Sequence, residues 1–371
     1  MRIAVPREVK DNEFRVAITP AGVHELVSRG HEVVIEQDAG LGSAIPDEDF
    51  KAAGAQILGD AAPVWASAEL LLKVKEPIAQ EYGFLRGDLT LFTYLHLAAS
   101  APCTEALLAG GTTSIAYETV CTADGRLPLL APMSEVAGRL APQVGAYHLM
   151  RSAGGRGVLM GGVPGAPGAQ VVVIGAGVSG QNATAIAVGM GAQVTVLDLD
   201  VDKLRQMDAL YQGRIQTVYS TAYALEQAVL DADLVIGAVL VPGARAPRLV
   251  SNDLVARMKK GAVLVDIAID QGGCFADSHP TTHAAPTYPV HDTVFYCVAN
   301  MPGAVPHTST HALTNATLPY VLQLADKGWR DALRANPSLA EGLSTHDGKL
   351  ASAAVAQAHG LAHVAVQELM G

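Results

Sequence analysis

No block of lysine and arginine occurs anywhere in these 371 residues, and acidic side chains outnumber basic ones to give a net charge of −11. A nucleic acid or an anionic membrane surface is therefore not the expected partner. No uninterrupted apolar run is long enough to span a bilayer, although half of the residues are hydrophobic. The opening residues Met1 to Pro6 give way to Arg7 and Glu8 too soon for a secretory signal. Cysteine is scarce: Cys103, Cys121, Cys274 and Cys297 form no CxxC pair and no spacing suited to a metal. They read as core thiols of a reducing compartment, so a cytoplasmic protein without disulfides and without a metal is expected. Internal repeats beyond a strand–helix period, and low-complexity segments, are also lacking.

Glycine is abundant, with 37 residues, which suits α/β architecture with tight turns. The length predicts two domains. The most informative stretch is Gln170-Val171-Val172-Val173-Ile174-Gly175-Ala176-Gly177-Val178-Ser179-Gly180. A β-branched run enters a turn with three glycines. A helical segment follows from Gln181 to Gly191, then a strand from Gln193 to Leu197 that ends on Asp198. Gly175 permits the tight turn, Gly177 lets the backbone approach a pyrophosphate, and Gly180 lets helix pack closely on strand. The helix N-terminus offers free N–H groups to phosphate. Asp198 suits a ribose 2′-hydroxyl and repels a 2′-phosphate, which favours NAD.

Before this unit, strands are predicted at Arg2–Val5, His31–Glu36, Leu70–Val74 and Leu91–Leu95, and a helix starts at Thr19-Pro20. After it, strands are predicted at Ile215–Tyr219, Leu234–Leu240, Ala262–Ala268 and Val294–Val298, with a Pro242-Gly243 turn. Ala131 to Met150 reads as a long helix that bridges two domains. Asp200 caps a helix with Leu204, Met207 and Tyr211 inward. From Thr308 onward the pattern is helical, over Ser309–Ala325, Trp329–Ala335 and roughly Ala351–Leu369, with no strand in the tail. The expected architecture is therefore α/β, with two Rossmann-like domains, parallel sheets and a cleft between them. The first domain is discontinuous, over 1–130 plus 307–371, and acts on substrate. The second, over 131–306, binds the dinucleotide.

In open parallel sheets ligands sit beyond the carboxyl ends of strands. Lys75 and His96 each follow such an end, and Asp270 follows another. Lys75 also reads as a solvated lysine, His96 as a satisfied loop histidine, and Asp270 as a loop carboxylate or helix cap. A dinucleotide oxidoreductase acting on a small acid needs a cation for the carboxylate, a donor for the reacting oxygen or nitrogen, and a proton shuttle near pH 7. Arg15, Lys75 and His96 meet those needs.

The chain also resembles the alanine dehydrogenases from end to end. The resemblance is carried by Asn12-Glu13-Phe14-Arg15-Val16-Ala17-Ile18-Thr19-Pro20, Leu72-Lys73-Val74-Lys75-Glu76-Pro77, Leu95-His96-Leu97-Ala98, Pro132-Met133-Ser134-Glu135-Val136-Ala137-Gly138, Asp266-Ile267-Ala268-Ile269-Asp270-Gln271-Gly272-Gly273 and Val298-Ala299-Asn300-Met301-Pro302. It implies that L-alanine, water and NAD⁺ give pyruvate, ammonium and NADH. It implies substrate binding by Arg15 and Lys75 and acid–base work by His96 and Asp270. Its cofactor contacts fall on Ser134, Val178, Ser179, Asp198, Lys203, Ser220, Val239, Leu240, Ile267, Ala268, Ile269, Asp270, Val298, Ala299, Asn300 and Met301, beside Gly175, Gly177 and Gly180 of the turn. It also implies a homo-oligomer, a hexamer.

The chain departs from the family where His279 replaces an arginine near the cofactor and where His307 replaces a basic residue. Glu118 is associated with a metal in some relatives, but Lys327 stands where a partner ligand is needed, so none is expected. The rival readings are a related amino-acid dehydrogenase of the saccharopine type, an NAD-binding transhydrogenase-like module, and a non-catalytic NAD sensor.

Overall fold

Short runs of β-branched and aliphatic residues, separated by helical segments, fold into two mostly parallel sheets in the computed structural model, which describes residues 1–239 and 246–371. The expected Pro242-Gly243 turn and Leu240 lie outside the described residues. In chain order the strands are β1 (Arg2–Val5), β2 (Glu32–Glu36), β3 (Gln56–Leu58), β4 (Leu70–Leu72), β5 (Thr90–Thr93) and β6 (Thr113–Ala116). Next come β7 (Gln170–Ile174), β8 (Gln193–Asp198), β9 (Ile215–Tyr219), β10 (Leu234–Gly237), β11 (Val263–Asp266), β12 (Thr287–Val290) and β13 (Thr293–Tyr296). The last are β14 (Leu343–His346) and β15 (Lys349–Leu350). Chain contacts divide into two units, Met1–Met133 with Val305–Gly371, and Ser134–Ala304.

The first unit carries the sheet ordered β15-β14-β6-β5-β4-β1-β2-β3. Chain order runs outward from β1 in one direction and from β4 in the other. The two strands pair in parallel through Ile3 with Leu70 and Ala4 with Leu71. The gap between their carboxyl ends is thus a switch point, where loops leave on opposite faces and a ligand crevice opens. The second unit repeats this logic in the order β12-β13-β11-β10-β7-β8-β9, with the switch between β7 and β10. Its central strand is buried on both faces. Val171 and Val173 join one core and Val172 and Ile174 the other, as the two-residue period requires.

Local rules set several helix starts as expected. Thr19 caps the helix Pro20–Ser28 through the Gly22 N–H, and Asp200 caps Val201–Tyr211 through the Asp202 and Lys203 N–H groups. Leu204, Met207 and Tyr211 face inward. The long helix Pro306–Ala335 is broken at Gly328, whose φ of 75° and ψ of 160° are non-helical.

The tail corrects the sequence expectation. It contains β14 and β15, an antiparallel hairpin added to the edge of the first sheet through β6. Asp347 and Gly348 both have positive φ, 47° and 71°, which is the backbone an Asp-Gly hairpin turn demands. The helix expected over Ala351–Leu369 is instead two short ones, Ala353–His359 and Val366–Met370, because Gly360 ends the first with a left-handed cap. A second antiparallel edge, β12 on β13, closes the other sheet. Each sheet is thus antiparallel at one edge and parallel through to the other. The strands that carry Lys75 and His96 stop earlier than expected, at Leu72 and Thr93, so irregular backbone delivers both side chains.

Candidate active site

The first unit gathers its charged groups where β1, β4 and β5 end. Arg15 follows β1 and is buried, with 2% of its surface exposed. Its Nε donates to Glu13 Oε1 at 2.6 Å, Nη2 meets Glu13 Oε2 at 2.5 Å, and Nη1 lies 2.9 Å from Met133 Sδ. Burial pushes the Glu13 carboxyl up, but Arg15 and then Lys75 outweigh it and hold the group below its ordinary range. Glu13 therefore stays ionised and keeps the guanidinium oriented.

Lys75 is buried at 8% exposure. Among the described residues its ammonium has no hydrogen-bonded carboxylate. Glu76 lies beside it and forms an ion pair with Lys10. Burial raises the Glu76 carboxyl, while Lys75, Lys10 and His96 together bring it below its usual value. One carboxylate thus feels both Lys75 and His96, as Glu13 feels both Arg15 and Lys75. The structure brings these three sequence candidates into one electrostatic cluster.

His96 sits in left-handed backbone, with φ 48° and ψ 37°. Its ring stacks on Tyr94, with centroids 5.8 Å apart and planes 9° from parallel. The Tyr94 hydroxyl donates to the Leu129 carbonyl, and burial holds this phenol well above its usual pKa, so it stays neutral. The His96 side chain remains about two-fifths exposed, at 38%. It is the accessible member of the cluster.

The second unit holds the glycine turn as the spacing predicts. Gly175 has φ 104°. A Cβ on Gly180 would lie 1.7 Å from the Gly175 carbonyl oxygen, so helix and strand touch there. At Gly177 a Cβ would meet nothing within 4 Å, which leaves this face of the turn free for a ligand's approach. Val178 and Ser179 begin the helix Val178–Gly189. Asp198 Oδ2 accepts the Ala176 N–H at 2.6 Å and Oδ1 accepts the Asp200 N–H at 2.8 Å. Ser220 donates its N–H to the Asp198 carbonyl at 3.0 Å, and Lys203 lies 3.8 Å from Asp200. An open glycine cradle at a helix N-terminus, with a carboxylate at the end of the next strand, fits a dinucleotide.

Asp270 is exposed on the 3-10 turn Ile267–Gln271, which also carries Ala268 and Ile269. Val239 is half-buried just beyond β10. Val298 and Met301 are buried, Ala299 donates its N–H to Thr281, and Asn300 has φ 63°. Ser134 is half-buried at the start of the second unit. His279 stacks on Tyr288 with centroids 3.7 Å apart, and its N–H donates to the Tyr288 hydroxyl. His307 is exposed, with its ring 4.8 Å from that of His311. Among the described residues, no group of three or more His, Cys, Asp or Glu is arranged to hold a metal.

Sequence reasoning passed over Glu8, Glu13, Lys73 and Tyr94, which shape the cluster of the first unit, and Asp266 in the second. Glu118 drew notice only as a metal ligand. The available signal was charge inside apolar runs, as Lys73 in Leu70–Val74 and Asp266 in Ala262–Ala268. Both are completely buried. Asp266 accepts the Cys274 N–H and the Ser278 hydroxyl and caps the turn that bears Asp270.

Comparison with known proteins gives the same outline. Residues 4–137 match the family described as alanine dehydrogenase/PNT, N-terminal domain, and residues 141–353 match its C-terminal domain. The chain is 73% identical over 356 residues, 96% of each chain, to an alanine dehydrogenase of Mycobacterium tuberculosis. It is 58% identical over the full length of both chains to one from Halomonas elongata. A solved L-alanine dehydrogenase superposes with a TM-score of 0.94 at 50% identity, covering 97% of this chain and 99% of that one. A transhydrogenase from Sinorhizobium meliloti superposes with a TM-score of 0.80 at 26% identity, covering 95% of this chain and 100% of that one.

Proposed function

Because the chain belongs to the alanine dehydrogenase/PNT family, we propose that it catalyses the reversible, NAD-dependent oxidative deamination of L-alanine to pyruvate and ammonium. It is an oxidoreductase enzyme. The observation that carries the reading is the cluster of Arg15, Lys75 and His96 at the carboxyl edge of one sheet, in a chain 73% identical to an alanine dehydrogenase. Residues 1–130 with 307–371 form the substrate domain and 131–306 the NAD-binding domain. Localisation in the cytoplasm and assembly as a homohexamer belong to the same proposal.

Gly175, Gly177, Val178, Ser179 and Gly180 hold the pyrophosphate, and Asp198 takes the ribose hydroxyls. In the same proposal Ser134, Lys203, Ser220, Val239, Ile267, Ala268, Ile269, Val298, Ala299, Asn300 and Met301 also contact the cofactor, as does Leu240 by the family resemblance alone. When bound, the nicotinamide supplies the two-electron exchange at the substrate Cα. The chain supplies position and charge. Arg15, held by Glu13, takes the substrate carboxylate. Lys75 stabilises negative charge on the pyruvate oxygen, an electrostatic contribution on the order of 3 kcal/mol. His96 and Asp270 move protons at the substrate nitrogen and oxygen as ammonia and water exchange at carbon.

The test is NADH formation with L-alanine at alkaline pH, repeated with NADP⁺ and with His96→Ala. Alanine-dependent turnover that prefers NAD⁺ is expected, with most of it lost in the variant. Turnover unchanged by His96→Ala would remove that residue from the mechanism. NADH binding without turnover would leave a sensor.

A further inference from the structure

Strand β4 ends at Leu72, and two longer backbone bonds to the β5 side follow it, from the Lys73 N–H to the Phe92 carbonyl and from the Tyr94 N–H to the Val74 carbonyl, each at 3.3 Å. Beside these bonds, a carboxylate from the far side of the switch point holds the segment. Glu8, three residues beyond β1, turns Oε1 onto the Val74 N–H at 2.6 Å, with the Lys75 N–H at the outer limit of 3.4 Å. Its Oε2 accepts from Lys73 Nζ at 3.1 Å. Lys73 also donates to Glu81 Oε1 at 2.8 Å, and Glu81 Oε2 accepts the Ile78 N–H at 3.0 Å. On the carbonyl side, Thr93 Oγ1 donates to the Lys75 oxygen at 3.1 Å. The segment from Lys73 to Ile78 is thereby held at its side chain, its N–H groups and its carbonyl.

We propose that Glu8 is a positioning residue for the substrate reaction: its carboxylate, braced by Lys73 and Glu81, sets the backbone from which Lys75 meets the pyruvate oxygen. The inference rests on the function given above. Its physical ground is the cost of the arrangement. The side chains of Lys73, Glu8 and Glu81 have exposures of 0%, 3% and 5%. Removing three charges from water is costly, and apolar residues of similar volume often stabilise a fold as well or better. Burial pushes the Glu8 carboxyl above its ordinary value, against the pull of Lys73. Stability alone gives this triad no advantage. Its hydrogen bonds end on the N–H groups of Val74 and Lys75, the point where positional precision affects a reacting group.

The experiment is a cycle of four full-length proteins: the unmodified chain, Glu8→Gln, Lys75→Ala and the double variant. Each is loaded with NADH and titrated with pyruvate by calorimetry without ammonium. Glu8→Gln keeps the volume and one acceptor oxygen but sets an N–H donor against Lys73. It is expected to weaken pyruvate binding about 10-fold while leaving NADH affinity within about 2-fold. On the Lys75→Ala background the same change is expected to cost less than about 2-fold, because the group it positions is gone. Hydrogen exchange at the Val74 and Lys75 amides should quicken in Glu8→Gln. Equal losses on both backgrounds, or pyruvate affinity unchanged by Glu8→Gln, would overturn the proposal. Should Glu8→Gln not fold, Glu8→Asp, which keeps the charge and retracts it from Val74, carries the same cycle and the same criteria. Absence of turnover in the unmodified chain would refute the functional reading instead; amide exchange unchanged in the Glu8 variant would refute the clamp.

Discussion

Glu118 lies beneath the backbone of His96: its Oε1 accepts the His96 N–H at 2.5 Å and stands 3.9 Å from the ring Nδ1. The same carboxylate takes the Leu95 N–H with both oxygens at 3.2 Å. Left-handed backbone at a residue with a Cβ costs about 1–2 kcal/mol, and this double acceptor offsets it. Glu118→Ala leaves two N–H groups unpaired. It should destabilise the protein by about 1–3 kcal/mol in denaturant titration and lower kcat on the order of 10-fold. Glu118→Gln, which keeps one acceptor, should fall between. A Glu118→Ala protein as stable and active as the parent would sink the idea.

The glycine turn separates packing from ligand approach. Gly180→Ala forces a Cβ to within 1.7 Å of the Gly175 oxygen, so helix and strand must part. Its Tm should drop by several degrees, for a cost of about 2–4 kcal/mol. Gly177→Ala meets nothing within 4 Å and should leave Tm close to that of the parent. It should still weaken NADH binding, followed by fluorescence, about 10-fold or more, because the new methyl enters the approach of the pyrophosphate. The reverse ranking of the two variants in Tm would contradict this reading.

Asp198 accepts the Ala176 N–H of the turn, and in the proposed function it also takes a ribose hydroxyl. Asp198→Ala should raise the NAD⁺ KM about 10-fold and narrow the preference over NADP⁺ by removing the charge that repels a 2′-phosphate. Steady-state kinetics with both cofactors decide it; a preference that stays intact would shift discrimination to another residue.

The Glu13–Arg15 pair carries a pH signature. Its carboxyl lies below its ordinary value of 4.5 in the folded chain, because Arg15 and Lys75 outweigh burial. A depressed carboxylate contributes stability that is fully present above its unfolded value and is lost as pH falls through the folded one. Tm should therefore decline below about pH 4.5, and Glu13→Gln should flatten that part of the profile. The variant should also be about 3–5 kcal/mol less stable at neutral pH, since it removes the carboxylate that pairs with a buried guanidinium. Thermal scans across pH check both; parallel profiles in the two proteins would contradict the assignment.

The order of residues was enough to determine the glycine turn, Asp198 at the end of the next strand, the caps at Thr19 and Asp200, and the alternation of strands with helices. Each of these depends on sterics or periodicity within a few neighbouring residues. It also singled out Arg15, Lys75 and His96 as chemical candidates. The tail hairpin at Asp347-Gly348 had a local signal as well, but a helical periodicity around it masked the turn.

What holds the candidates in place was decided only in three dimensions. Glu8 reaches Val74 across 66 residues of chain, and Glu118 reaches His96 across 22. Nothing in the neighbourhood of a glutamate in sequence says which distant N–H it will accept. That follows from parallel pairing, which sets the ends of β1, β4, β5 and β6 side by side and leaves each buried carboxylate to satisfy the backbone groups where the ladder stops.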